Sequence, residues 1–276
     1  MELFIINQET CNQDGICAAV CPVGAIDFSK GAFPVPAAEA ETTCIRCGHC
    51  VAVCPTTSLN HRDMAVADCP AINRDLVINE AQCEQFLRAR RSIRVYRKQP
   101  VPQAELARLI ELARYAPTGR NSQSVHWLVL SGREQLHRLS GLLADWMRWM
   151  IAHQPEMAAS MRMDRTVAVW EAGQDVFLRS APALIVAHGH KDDRMATASG
   201  AIALAYLELA AVPLGLGCCW AGYFHAAAVS FPPLIEALAL PEGHQCLGAM
   251  MVGQPVFRYH RLPTRKEPAV IWRLAD

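Results

Sequence analysis

The sequence predicts an α+β fold with a second, smaller domain at its amino end, and three observations carry that prediction. The first 65 residues contain a cysteine-bearing repeat found nowhere else in the chain. From Glu84 onward, short apolar strands are separated by longer amphipathic helices. Those strands follow no regular strand–helix–strand cadence, which argues against a doubly wound parallel sheet. A length of 276 residues fits two domains at about 150 residues each. The expected boundaries are residues 1–65, a linker over 66–83, and residues 84–276. With 52% hydrophobic residues the chain can fill a core, which excludes global disorder. Its 26 basic residues balance 26 acidic ones, leaving no broad electrostatic footprint for nucleic acid.

In the first domain Cys11…Cys21-Pro22 recurs 33 positions later as Cys44…Cys54-Pro55. Two copies are too few for a solenoid and suit a pseudo-twofold unit. Gly31-Ala32-Phe33-Pro34-Val35-Pro36 forms a turn-rich connection between them. The linker carries Val66, Ile72, Leu76 and Ile78, so it is expected to pack on something. Pro102 to Arg114 reads as a helix with proline in its first turn and Leu106, Leu109, Ile110 and Ala113 on one face. Pro117-Thr118-Gly119 ends it, and Val125 to Leu130 reads as a strand. Gln135 to His153 and Met195 to Ala211 are helical; Ala183–Ala187, Cys218–Ala221 and Leu247–Val252 are strands. The apolar run from Ser199 to Phe224 carries one charge, Glu208, but Pro213, Gly215, Gly217 and Gly222 break it. It is a core helix rather than a membrane span. Met1-Glu2-Leu3-Phe4 begins no recognisable signal peptide, so a reducing cytoplasm is expected and the cysteines are not read as disulfide staples.

The segment Cys44-x2-Cys47-x2-Cys50-x3-Cys54-Pro55 has the spacing of an iron–sulfur site. Three thiolates on one tight loop reach one cluster, and the fourth points to the other. Structural zinc sites instead separate two short pairs by a dozen or more residues. The first copy keeps Cys11, Cys17 and Cys21 but has Asp14 where the second cysteine should stand. By the crossover rule one [4Fe–4S] cluster takes Cys44, Cys47, Cys50 and Cys21. The other takes Cys11, Cys17 and Cys54. Its fourth corner is Asp14 or solvent, or it is a [3Fe–4S] cluster, because an oxygen donor binds iron less firmly than thiolate. The alternative is that Asp14 is a plain loop residue. This segment resembles the bacterial two-cluster ferredoxins.

Three patches in the second domain carry another resemblance: Arg90-Arg91-Ser92-Ile93-Arg94, Ala116-Pro117-Thr118-Gly119-Arg120-Asn121-Ser122-Gln123, and Arg258-Tyr259-His260-Arg261-Leu262-Pro263. In that order they resemble the FMN-dependent nitroreductases. The resemblance implies an antiparallel or mixed sheet flanked by helices and an intertwined homodimer with FMN at its interface. It gives Arg90, Ser92 and Arg261 to the FMN phosphate, a dianion suited to guanidinium forks, and counts Arg91 among the cofactor-binding residues. It gives Arg94 to the ring near N1, Asn121 and Gln123 to the ring's polar edge, and Trp220, Ala221 and Gly222 to the neighbourhood of N5. The chain departs from the family with Ser124-Val125 after the amide motif and with Tyr259 at a position where some relatives have lysine.

Trp146, Trp149, Met150 and His153 share a helical stripe, followed by Met157, Met161, Met163 and Trp170. Core or dimer packing is the expected role, with a substrate lid as the alternative. His126, Cys218 and Cys219 read as structural residues. Gly215-x-Gly217 lacks the third glycine of a dinucleotide fingerprint, so no separate nicotinamide domain is expected. The combination implies an oxidoreductase that passes electrons from an external donor, ferredoxin or NAD(P)H, through the clusters to FMN. Its substrate would be a small electron-poor conjugated molecule such as a nitroaromatic or quinone. The rivals are an NAD(P)H nitroreductase with structural or sensory clusters, and a non-catalytic electron carrier. No side-chain nucleophile is required.

Overall fold

The computed structural model describes residues 2–274. The chain divides into two packed units: one runs to Val77 and includes Thr118–Gln123, and the other comprises Ile78–Pro117 and the chain from Ser124 onward.

In the first unit the elements are β1 (Phe4–Ile6), α1 (Ile16–Ala19), β2 (Ile26–Asp27), β3 (Val35–Pro36), α2 (Ala40–Thr43), α3 (His49–Val53) and β4 (Leu59–His61). β1 pairs antiparallel with β4, placing Phe4 opposite His61, and β2 pairs antiparallel with β3. The sequence repeat is also a backbone repeat. Gly15 and Gly48, 33 residues apart, start α1 and α3 with the same left-handed φ of 73°. Each is also crowded. A Cβ on Gly15 would lie 2.3 Å from the Phe28 ring, and one on Gly48 2.6 Å from Met64 Sδ. Gln13 and Arg46 repeat at φ 56° and 51°, and Gly24 and Thr57 at 63° and 53°. The core is small, built around Leu3, Phe4, Ile26, Val51 and Leu59. The linker packs less than its composition suggests. Val66 lies against this core, whereas Ile72, Leu76 and Ile78 are exposed. Two short 3₁₀ turns, Val66–Asp68 and Arg74–Leu76, offer no continuous apolar face.

The second unit runs α4 (Glu80–Ala89), α5 (Gln103–Ala113), β5 (His126–Ser131), α6 (Arg133–His153), α7 (Pro155–Ser160), α8 (Met163–Glu171), β6 (Ala183–His190), α9 (Ala196–Ala211), β7 (Gly217–Trp220), α10 (Gly222–Ala228), α11 (Pro232–Leu238) and β8 (His244–Gly253). A reciprocal cap between Asn79 and Gln82 starts α4. The sheet order is β5-β6-β8-β7, with every pairing antiparallel. Because side chains alternate across a strand, β6 and β8 feed two cores. Leu184, Val186, Ala249 and Met251 face the core that holds Leu143, Met147 and Phe224. Ile185, Ala187, Met250 and Val252 face the other, with Leu109, Leu204 and Leu207. Burial on both faces explains why these strands read as unbroken apolar runs.

The expected helices and strands are present within a residue or two, except that β6 and β8 extend three residues beyond their apolar runs. The histidine-bearing ends carry no hydrophobic signal. The aromatic and methionine stripe divides. Trp146, Met150 and Met163 are core residues, while Trp149 stacks on His153 and stays 41% exposed with Met157 and Met161.

Candidate functional site

In the first unit the cysteines of the two repeats group across the repeats. Cys21 lines one cavity with Cys44, Cys47 and Cys50, while Cys54 lines another with Cys11, Asp14 and Cys17. The fourth cysteine of each repeat follows its short helix and therefore faces the other repeat's cavity. Among the described residues no three Cys, His, Asp or Glu close round one point as ligands of a single ion would.

Several groups already face the sulfurs. Ala25 N donates to Cys21 Sγ at 3.2 Å, and Ser58 N donates to Cys54 Sγ at 3.3 Å, the same bond in both repeats. Arg46 N donates to Cys44 Sγ at 3.4 Å. His61 Nδ1 accepts from Asp63 N at 3.1 Å, which leaves Nε2 as the donor facing Cys44 Sγ at 3.7 Å. Burial pushes the Cys50 thiol up to about 11 and raises Cys17 as well. Burial also acts to raise Cys54, but hydrogen bonds from the Thr56 hydroxyl and nearby backbone outweigh it and lower that thiol. Asp14 Oδ1 accepts from Ile16 N at 3.1 Å, so the carboxylate is oriented by the start of α1 while it lines the cavity. The donor set fits iron–sulfur clusters, which need thiolates braced by N–H groups. Pattern reading missed His61, Thr56 and Ser58, because their sulfur contacts depend on chain folding rather than on spacing.

In the second unit an open cavity of about 470 Å³ is lined by Arg90, Arg91, Arg97 and Arg258, with Tyr259 beside them. The one acidic group in its wall is Glu208, whose Oε1 accepts from Arg90 Nη1 at 2.8 Å. This pairing accounts for the lone charge on the otherwise apolar α9. Four guanidiniums against one carboxylate fit a phosphate dianion. Ser92 is half-buried outside this wall, and its carbonyl faces Arg94 Nη1 at 3.5 Å. Arg261 is exposed and outside it too, so from the third patch the structure brings Arg258 and Tyr259 instead.

A second cavity, about 400 Å³, joins Arg94 to Trp220, Ala221 and Gly222, with Phe177, Arg179 and Met161 also in its wall. Trp220 lies over Gly248, where a Cβ would come within 2.4 Å of the indole, so only glycine admits the ring there. Cys219 and Cys218 are buried and their thiols raised, Cys219 against the lowering pull of Arg94 and Arg179. This aromatic, cationic wall fits a planar ring that carries negative charge. Arg97 and Arg179 were missed; neither belongs to a patch of the motif, though Arg97 closes an arginine-rich stretch.

Asn121 and Gln123 line neither of these cavities. They belong to the first unit, where Asn121 Nδ2 donates to the carbonyls of Ile45 at 3.1 Å and Arg46 at 3.0 Å. Gln123 is exposed, and its backbone N–H bonds Thr118 Oγ1 at 3.0 Å.

The nitroreductase family model matches residues 87–254. The chain belongs to the nitroreductase family. A 4Fe-4S dicluster domain matches residues 3–55, so this member carries a cluster domain at its amino end. An FMN reductase [NAD(P)H] of Bacillus subtilis is 27% identical over 180 residues, covering 65% of this chain and 68% of that protein. Among solved structures, an FMN-bound nitroreductase from Bacteroides fragilis aligns with a TM-score of 0.57 at 20% identity, covering 71% of this chain and all of the other. A BluB-like flavoprotein from Clostridium difficile aligns at 0.54 and 18%, covering 67% and 94%. These structures establish the shared α+β fold of the second unit. No helix among the described residues is long and apolar enough to cross a membrane.

Proposed function

We propose that this nitroreductase-family chain is an iron–sulfur flavoprotein that reduces a small electron-poor conjugated molecule, a nitroaromatic or quinone, with electrons from an external donor. The observation that carries the reading is the presence, in one chain, of two cysteine-lined cavities and an arginine-walled cavity in a nitroreductase fold. When bound, the clusters would relay single electrons and FMN would supply hydride chemistry. Cys21, Cys44, Cys47 and Cys50 would hold one cluster, and Cys11, Cys17, Cys54 and Asp14 the other. Arg90, Arg91, Arg97 and Arg258 would grip the phosphate, with Glu208 fixing the Arg90 fork. Arg94 would set positive charge beside the ring, and Trp220, Ala221 and Gly222 would shape the wall against it. Two copies of the chain would complete the working unit.

The relative's name, with its NAD(P)H, favours a second reading in which nicotinamide reduces the flavin directly and the clusters are structural. Anaerobic turnover of 4-nitrobenzoate separates the two. With reduced methyl viologen as donor, Cys21→Ser/Cys54→Ser should lose most activity while retaining FMN. If NADPH drives the wild type and this variant equally, and viologen does too, the clusters play no part in electron supply.

A further inference from the structure

We propose that Asn121 is a positioning residue that raises the reduction potential of the cluster held by Cys21, Cys44, Cys47 and Cys50. It acts through a single peptide group. The carbonyl of Ile45 accepts from Asn121 Nδ2 at 3.1 Å, and the N–H of the same peptide, on Arg46, donates to Cys44 Sγ at 3.4 Å. Amide, peptide and sulfur thus form one hydrogen-bonded chain, in which each link polarises the next. The second contact, to the Arg46 carbonyl at 3.0 Å, polarises the following peptide, whose N–H belongs to Cys47. Hydrogen bonds to cluster sulfurs are among the terms that set potential.

The loop that presents Asn121 is held against its own backbone preference. Arg120, Asn121 and Gln123 have φ of 52°, 52° and 48°, a region that non-glycine residues enter only at a cost. Asparagine tolerates it best of the three. The Thr118 hydroxyl, accepting from Gln123 N, ties the turn closed. Arg46, whose N–H donates to Cys44, is itself left-handed at φ 51°. Two strained turns therefore meet through the Asn121 amide.

The sign follows from charge. Reduction makes the cluster more negative, and N–H donors directed at its sulfur stabilise that state. Removing the amide weakens the Arg46 donor, so the potential falls. The cluster on Cys11, Cys17 and Cys54 has no part in this chain of bonds and serves as an internal reference.

The inference rests on the ligand assignment proposed above, and the test keeps the two apart. Asn121→Ala and the isosteric Asn121→Asp, whose carboxylate cannot donate, are titrated anaerobically in the full-length protein with potentiometric electron paramagnetic resonance. Both should lower the midpoint of the Cys44-side cluster and leave the other unmoved. An unchanged midpoint at full iron content overturns the proposal, as does an equal shift in both clusters. Loss of iron from the Cys44 side alone, in both variants, also overturns it, because Asn121 would then be architectural. A wild type with no cluster on Cys44 defeats the ligand assignment itself.

Discussion

Asp14 carries the sharpest test at the scale of single residues. Its carboxylate sits in the wall with Cys11, Cys17 and Cys54, one oxygen already bonded to Ile16 N. A thiolate is the softer and firmer iron ligand, so Asp14→Cys should give a second cluster that survives brief exposure to air. Iron analysis and electron paramagnetic resonance before and after exposure would check this; identical behaviour of wild type and variant would show that Asp14 is not at the corner. His188 gives a pH prediction. It is buried, its Nδ1 lies 2.9 Å from His244 Nδ1, and it stacks on His126. Burial, then the neighbouring histidines, lowers it to about 4. The other ionisable groups nearby are His190, against His244, and Asp192, 3.6 Å from His190. The unfolded chain therefore takes up a proton near pH 6.5 that the folded chain refuses until about 4. Stability is full above that range and falls as pH drops through it, by on the order of 2–3 kcal/mol. Urea midpoints at pH 7 and pH 5 should show the loss, and His188→Gln should shrink it.

At the scale of elements, the 33-residue repeat makes a crossover prediction. Cys21 belongs by sequence to the first repeat but lines the cavity of the second. Cys21→Ser should therefore strip iron from the Cys44–Cys47–Cys50 side and spare the Cys11–Cys17–Cys54 side, lowering total iron by about half. Resolved cluster spectra would reveal the opposite loss if each repeat served itself. The repeat was legible because thiolate spacing and the paired glycines must recur for the backbone to recur. The second unit's helices and strands were legible from apolar period, and only their polar ends escaped, as with His188–His190 on β6 and His244–Gln245 on β8. The amide motif shows where pattern reading stops. Asn121 follows the helix α5 closely in sequence, yet its amide bonds the cysteine loop of the first unit at Ile45 and Arg46. Nothing in the spacing signals that, because the contact is made to backbone carbonyls, which every residue has.

For the whole molecule, α9 raises the question of assembly. It is apolar nearly all round, a character that belongs to a helix covered on every side. Ala203, Leu204 and Leu207 are buried, but Ile202 and Tyr206 are 39% and 44% exposed in the single chain. Ile271, Trp272 and Leu274 near the carboxyl end are exposed as well. A second copy that covers these surfaces would double the 30.3 kDa mass to 60.6 kDa, and light scattering should find that species. Ile202→Lys, which places a charge on the uncovered face, should shift it toward monomer; a wild type that is monomeric at all concentrations would refute the assembly.

The sequence alone determined what is local and chemical: the cysteine spacing and its 33-residue repeat, the apolar period of each element and the clustering of guanidiniums near Arg90. Each is written in neighbouring residues, so it survives without knowledge of the fold. Tertiary structure alone decided which distant groups meet: Glu208 with Arg90, His61 with Cys44, Arg97 and Arg258 in one wall, and Asn121 on the peptide that donates to Cys44 Sγ. Those pairings depend on how cores and turns close over dozens of residues. Their energy lies in directional bonds a few ångströms long, which no one-dimensional pattern specifies.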